Sequence, residues 1–252
     1  MIKNALILMV LVLLSCNKNE KGECTGSIGD GVILFEFSPS LYGKDIETTR
    51  EYVNDDNIRF RISDLKFYLS FKAVTKKGDT IGCVDQVKFF DLLDTSLTNF
   101  TIPLPSGTYK ALILGTGLNT EINDTDPSDL EPEHILSAQQ GTYWSWANGY
   151  KFFQLEGMTA TFKEDTAVLM NSLLYHVGTN ATFYERRIKK DFKIKRKGLQ
   201  IFKLNLHLEE LFNAVYDIDI INEDYTQTSN KEELDLALKL IENFNHSFEI
   251  IE

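Results

Sequence analysis

The stretch DLKFYLSFKAV, residues 64–74, constrains the fold more than any other part of the chain. Leu65, Phe67, Leu69 and Phe71 fall on one side of it, and Lys66, Tyr68, Ser70 and Lys72 on the other. An alternation of period two suits an extended strand with one face buried; in a helix the same residues would be scattered around the axis and leave no continuous apolar stripe. The pattern recurs in GVILFEFSP, QVKFFDL, NFTIPL, TYKALILGTGL, GYKFFQLEG, TATFKE, SLLYHVG, ATFYERR and LQIFKLNLHL, each bounded by Gly, Asn, Asp or Pro signals. So many short strands without helical repeats between them predict an all-β fold, an immunoglobulin-like or jelly-roll-like antiparallel β-sandwich. About 220 residues suit a single domain, taken as residues 31–252.

Two segments break the period. Residues 119–141, which include NTEINDTDPSDLEPEH, read as a long polar loop with a helical turn after Asp129. NKEELDLALKLIENF places Leu234, Ala237, Leu238 and Ile241 at helical spacing behind Asn230, a residue type suited to an N-cap. This predicts a C-terminal helix lying over one end of the sandwich.

The first residues belong to no fold. MIKNALILMVLVLLSC has a charged start at Lys3 and an apolar run too short to span a bilayer. LLSC resembles the bacterial lipobox, which implies a signal peptide over residues 1–15 and Cys16 as a lipidated mature N-terminus. Asn17 follows Cys16 rather than an aspartate, so the expected place is the cell envelope, anchored in the outer membrane and facing the periplasm or the surface. Residues 16–30 then read as a polar tether. Cys24 and Cys83 remain, in a compartment where a disulfide between them can persist.

The net charge of −11 argues against nucleic acid as a partner and against an anionic surface as the main one. RRIKKDFKIKRK, residues 186–197, is the basic exception and reads as a solvated hairpin. No phosphate loop, nucleophile elbow or H-E-x-x-H motif is present, so no enzyme activity is expected. The acidic loop lacks the spacing of an EF-hand.

Four histidines are candidates for metal chemistry, since imidazole ligates copper or zinc without help from cysteine. His207 shares the polar side of its strand, and His246 follows the C-terminal helix. His134 and His176 flank GTYWSWANGYKFFQLEG, which holds both tryptophans of the chain, Trp144 and Trp146. Alternation would put the two indoles on one face.

The segment YWSWANGYKFFQLEG is similar to the W-x-W, GYKF, EG signature of the MbnP-like family of periplasmic or lipid-anchored proteins. ISDLKFYLS, PSGTYKALILGTGLN, EHILSAQQGTYWSW and YHVGTN resemble that family's other segments in the same order, over roughly residues 31–250. The resemblance implies a copper-associated β-sandwich whose partner, a MauG-like dihaem peroxidase, oxidises a tryptophan to kynurenine. The implied metal site includes His176, His134, Trp144 and Trp146, with Tyr150 and Glu156 supporting them. The chain departs from the family pattern at Ile135, where proline often follows the loop histidine, and at Thr142, where methionine often precedes the Tyr-Trp pair. A different reading keeps the fold but makes Tyr143, Trp144 and Trp146 an aromatic platform on a surface glycan-binding lipoprotein. A plain envelope scaffold is the third.

Overall fold

The computed structural model describes residues 30–82, 87–92, 99–144, 149–164 and 166–252. Two sheets face each other. In the smaller, β1 (Gly31–Ser40) lies between β12 (Leu199–His207) and β6 (Asn99–Leu104), and β14 (Phe248–Ile251) pairs with the outer edge of β12. The larger sheet runs β11 (Tyr184–Ile194), β7 (Gly107–Thr116), β3 (Arg59–Thr75), β9 (Gly149–Ala160), β10 (Leu169–Gly178) and β13 (Tyr225–Thr226). The short β2 (Tyr52–Val53), β4 (Thr80–Ile81) and β5 (Val87–Asp91) pair with β3, and β8 (Tyr143–Trp144) pairs with β9. This is the all-β sandwich with a C-terminal helix that the alternation predicts. Among the described residues two pairings are parallel, β1 with β12 and β10 with β13, which a period of two cannot reveal because it is the same in either direction.

The inward faces meet in an aromatic layer. Phe35 of β1 lies 4.8 Å from Phe71 and 5.2 Å from Phe100, and Phe67 of β3 stacks on Phe90 at 4.9 Å. Along β3 the inward residues are Phe60 and Ile62, then Leu65, Phe67, Leu69 and Phe71; the change of parity marks a bulge. The register confirms it: Ile62 sits opposite Gly157 and Asp64 opposite Glu156, so Ser63 is the extra residue. Gly157 makes this possible, because a Cβ there would lie 2.0 Å from the Arg61 carbonyl oxygen.

The outward face of β3 is not all solvated, as its alternation suggests. Tyr68 is fully buried and belongs to a second cluster with Leu118, Ile122, Leu136, Tyr150 and Phe152. The loop at 119–141 folds over this face. Its helical turns lie at α1 (Thr120–Asn123) and at the 3-10 turns Pro127–Asp129 and Ala138–Gln140; the last follows Asp129 as expected, and the first two are additional. The Tyr68 hydroxyl donates to the Ile135 carbonyl at 2.9 Å, and the Tyr150 hydroxyl to those of Leu136 at 2.9 Å and Thr125 at 3.0 Å. Tyrosine serves here where phenylalanine could not, since buried loop carbonyls need donors.

Helix α2 (Lys231–His246) starts at Asn230, whose side chain accepts from the Glu233 amide at 3.0 Å. Glu233 in turn accepts from the Gln227 and Ser229 amides and from the Asn230 side-chain amide, which ties the preceding turn to the helix. Its buried stripe is Leu236, Ala237, Leu240, Ile241 and Phe244; Leu238, expected in the stripe, is exposed. Among the described residues no helix is long and apolar enough to cross a membrane.

Two further expectations fail. TATFKE is not a separate strand: Thr159 and Ala160 end β9 and residues 161–163 turn. The basic segment is not a hairpin, because β11 pairs with β7 and β12 with β1, so residues 195–198 carry the chain from one sheet to the other. Cys16, Cys24, Cys83 and Trp146 lie outside the described residues.

Candidate functional site

The strand GYKFFQLEG supplies residues to both faces of the larger sheet. Phe153 and Leu155 point into the main core, while Tyr150 and Phe152 join the cluster under the loop. Beyond them on that outer side stand the polar residues Gln154 and Glu156. On β10, Tyr175 and Val177 point inward, which turns His176 and Gly178 outward. His176 is paired with Gln154 across the strands and Leu174 with Glu156, so the imidazole lies diagonally from the Glu156 carboxylate.

The two side chains touch: His176 Nε2 lies 2.7 Å from Glu156 Oε1. The residue is only 8% exposed. Gln154 Nε2 donates to Glu156 Oε1 at 3.2 Å and to Asp64 Oδ2 at 2.5 Å, so the bulge that aims Asp64 outward extends the network from β10 to β3. Lys66 Nζ stands 3.8 Å from Asp64 and 3.7 Å from Asp91. Burial, against the pull of Lys66, pushes the Asp64 carboxyl up.

Trp144 lies on the same face and is 6% exposed. Its six-membered ring covers Gly178: a Cβ there would lie 2.4 Å from Trp144 Cζ3 and 2.4 Å from the Tyr150 carbonyl oxygen. The indole thus packs on the β10 backbone two residues from His176.

Burial and the nearby Lys151 ammonium hold His176 below the ordinary imidazole value, and the Glu156 hydrogen bond only partly offsets them. The neutral ring is the favoured form in the folded protein. Its contribution to stability is therefore fully present above the unfolded value of about 6.5 and is lost as pH falls toward the lower, folded one. A titration of His176 followed by NMR should show a midpoint below that of a free imidazole. Glu156→Gln should lower it further and Lys151→Met should raise it; a midpoint at or above the free value would contradict this balance.

The other histidines stand apart. His134 is exposed in the loop, its Nδ1 accepts from the Leu136 amide at 3.1 Å, and it lines a cleft of about 510 Å³ with Glu121, Ile122, Leu130 and Leu136. His207, half-exposed, lies 3.7 Å from Glu249. His246 is the last residue of α2, and its Nδ1 lies 2.9 Å from the Glu242 carbonyl oxygen. Tyr150 is a structural residue of the loop cover, with its hydroxyl pushed up to about 12, chiefly by burial.

Two observations bear on whether a metal suits this face. Asp64 Oδ1 and Gln154 Oε1 are buried oxygens without a hydrogen-bond partner beside the His176–Glu156 pair. Against this, no group of three or more His, Cys, Asp or Glu side chains among the described residues is placed to hold an ion. The face offers an anchored imidazole and spare oxygens, not a closed ligand shell. Asp64, Lys151 and Gln154 carry no motif that marks them in the sequence. The adjacent polar positions in GYKFFQLEG were a usable signal for Gln154; Asp64 depends on a bulge and a distant strand.

These features define a class: a two-sheet β-sandwich closed by a C-terminal helix, with a buried imidazole–carboxylate pair and an indole on the outer face of the larger sheet. The model of the MbnP family matches residues 31–232, and the chain belongs to that family. Among solved structures it is similar to MbnP from Methylosinus trichosporium, with 15% sequence identity and a TM-score of 0.51 over 75% of this chain and 79% of that one. At that identity the likeness is one of fold. No curated protein matches the chain in sequence.

Proposed function

We propose that this chain is a binding protein of the bacterial envelope, not an enzyme, that takes copper at a site built on His176 and the neighbouring Trp144, with Trp146 of the same segment as a further candidate. Its membership of the MbnP family supports a role connected with copper. The observation that carries the reading is the juxtaposition on one face of a buried imidazole, anchored by Glu156 at 2.7 Å, and the indole of Trp144 against Gly178. A carboxylate on one ring nitrogen of a histidine orients the other toward a ligand. In this role Glu156 is a positioning residue, and Asp64 and Gln154 brace it.

Copper bound there would need donors beyond His176. An intact indole has none, because its nitrogen carries no free lone pair. Oxidation of Trp144 or Trp146 to kynurenine would add an aryl amine, and the oxidant is assigned to a dihaem peroxidase partner, since this chain has no group capable of it. The family resemblance also implies His134 as a donor, although the loop sets it apart from His176. The proposed anchor is a lipid on Cys16, which would hold the domain at the outer membrane through the tether at residues 16–30.

Copper titration of the protein tests the site. His176→Ala should weaken binding at least tenfold, about 1.4 kcal/mol, with an unchanged circular dichroism spectrum, while His207→Ala should have no effect. Equal affinity in His176→Ala would overturn the assignment. His134→Ala separates a loop-supplied ligand from one made by oxidation. Peptide mass analysis after coexpression with the peroxidase identifies the modified tryptophan, and Cys16→Ser should release the protein from membranes. The glycan-binding reading is weaker, because Trp144 at 6% exposure has no free face on which a sugar could stack.

A further inference from the structure

The basic segment that reads as an ordinary solvated hairpin is part of a larger surface. Residues 195–198 cross between the sheets beside the start of β1: the Lys197 amide donates to the Asp30 carbonyl, and the Val32 amide donates to the Gly198 carbonyl at 3.0 Å. Lys193 of β11 is paired with Thr108 of β7, and the Thr108 carbonyl accepts from the Lys76 amide at 3.0 Å. Lys110 Nζ lies 3.4 Å from the Lys76 carbonyl oxygen. One end of the sandwich therefore gathers Lys76, Lys77, Lys110, Lys193, Lys195, Arg196 and Lys197, all but Lys110 exposed. Opposing them are Asp30, which accepts from the Ser106 amide at 2.6 Å and lies 3.7 Å from Arg196, and Asp79, which is tied to Thr75. This cluster stands on a chain whose net charge is −11.

Apolar side chains continue the surface. Leu199, 60% exposed, follows the crossover and is paired with Val32, which is paired on its other side with Pro103; Ile201, 44% exposed, is the next outward residue of β12. Exposed leucine and isoleucine beside a rim of lysines form an amphipathic surface of the kind that settles into a headgroup layer.

The place of this surface in the chain identifies its occupant. Residues 1–29 precede Asp30, so whatever holds the N-terminal segment holds it at this end of the domain. We infer that the basic end, Lys76, Lys77, Lys193, Lys195, Arg196 and Lys197 with Leu199, seats the domain on the anionic phospholipid surface in which its own N-terminus is anchored. The inference rests on the lipid-anchor reading for its biological setting, but the surface can be tested without it. An anionic bilayer attracts each nearby lysine or arginine, and the attraction is screened by salt. With this end on the membrane, the orientation of the domain is set by its own charges rather than by the tether alone.

The experiment uses the chain from Asn17 to Glu252, which lacks the leader and the acylated cysteine but retains both sheets and the whole core. Cosedimentation with phosphatidylcholine vesicles, with and without phosphatidylglycerol, reads the surface alone. Binding should require phosphatidylglycerol and fall with added salt. Lys193→Glu/Lys195→Glu/Lys197→Glu, which spares the Arg196–Asp30 contact, should reduce it at least about tenfold, and Lys76→Glu/Lys77→Glu should also weaken it. Lys163→Glu/Lys231→Glu, outside the cluster, should bind as the parent does. Equal binding to both vesicle types, no binding to either, or an unaffected triple variant would overturn the inference. Intact mass of the full-length protein from membranes tests acylation separately, so failure of the anchor and failure of the surface give different results.

Discussion

Phe67→Ala is expected to lower the unfolding free energy by about 4 kcal/mol, the range for removing a large buried aromatic side chain. Phe67 is fully buried and stacks on Phe90 at 4.9 Å, meets Phe244 of α2 edge-on at 5.0 Å, and lies 6.0 Å from Phe248 of β14 and 6.5 Å from Phe37 of β1. It thus joins both sheets and the helix, and no single neighbour can move into the vacated space without leaving its own ring contacts. For a domain of this size the loss corresponds to a fall in Tm of roughly 8–16 °C, measurable by calorimetry. Phe67→Leu should recover much of it. A loss below about 1 kcal/mol would mean that the core is far more plastic than its packing implies.

Gly178→Ala should cost about 3 kcal/mol, large for one methyl group. The added Cβ would meet the Trp144 ring at 2.4 Å and the Tyr150 carbonyl oxygen at 2.4 Å. The ring can swing away, but the carbonyl belongs to the β9 backbone and cannot move without disturbing the β8–β9 pairing. Gly178 does not have a positive φ, so the cost is steric and not conformational. The same change would displace the indole from its place beside His176. Loss of stability should therefore be accompanied by a shift in tryptophan fluorescence and, on the proposed function, by weaker copper binding. An unchanged Tm would show that Trp144 does not rest on this backbone in solution. Gly115→Ala is a useful comparison, because its nearest obstacle is the Ser70 hydroxyl, the end of a small side chain, at 2.2 Å.

Much of the architecture was legible because it is local. The inward faces of β1, β3 and β12 follow from residues two apart, and α2 follows from the Asn230 cap and a 3.6-residue stripe; both signals are written in neighbouring side chains. The sequence leaves the stripe ambiguous at Leu238 because 234, 237, 238 and 241 and 236, 237, 240, 241 and 244 are both helical spacings, and only the packed sheet selects one. His176, Glu156 and Trp144 could be named individually from the aromatic segment and the strand after it.

What the chain alone could not determine is which strand edges meet. Hydrogen bonding between backbones is nearly the same for any sequence, so partners are chosen by how the faces bury together across long separations in the chain. For that reason β11 and β12, adjacent in sequence, belong to different sheets, and the basic turn between them lies beside Asp30 instead of ending a hairpin. For the same reason Tyr68 is buried under a polar loop. The Asp64–Gln154–Glu156–His176 network likewise exists only because a bulge opposite Gly157 turns one carboxylate toward another strand's amide. Periodicity in the sequence determined which side chains are buried in most strands; the contacts between distant strands determined which polar groups share a face, and so where a site can form.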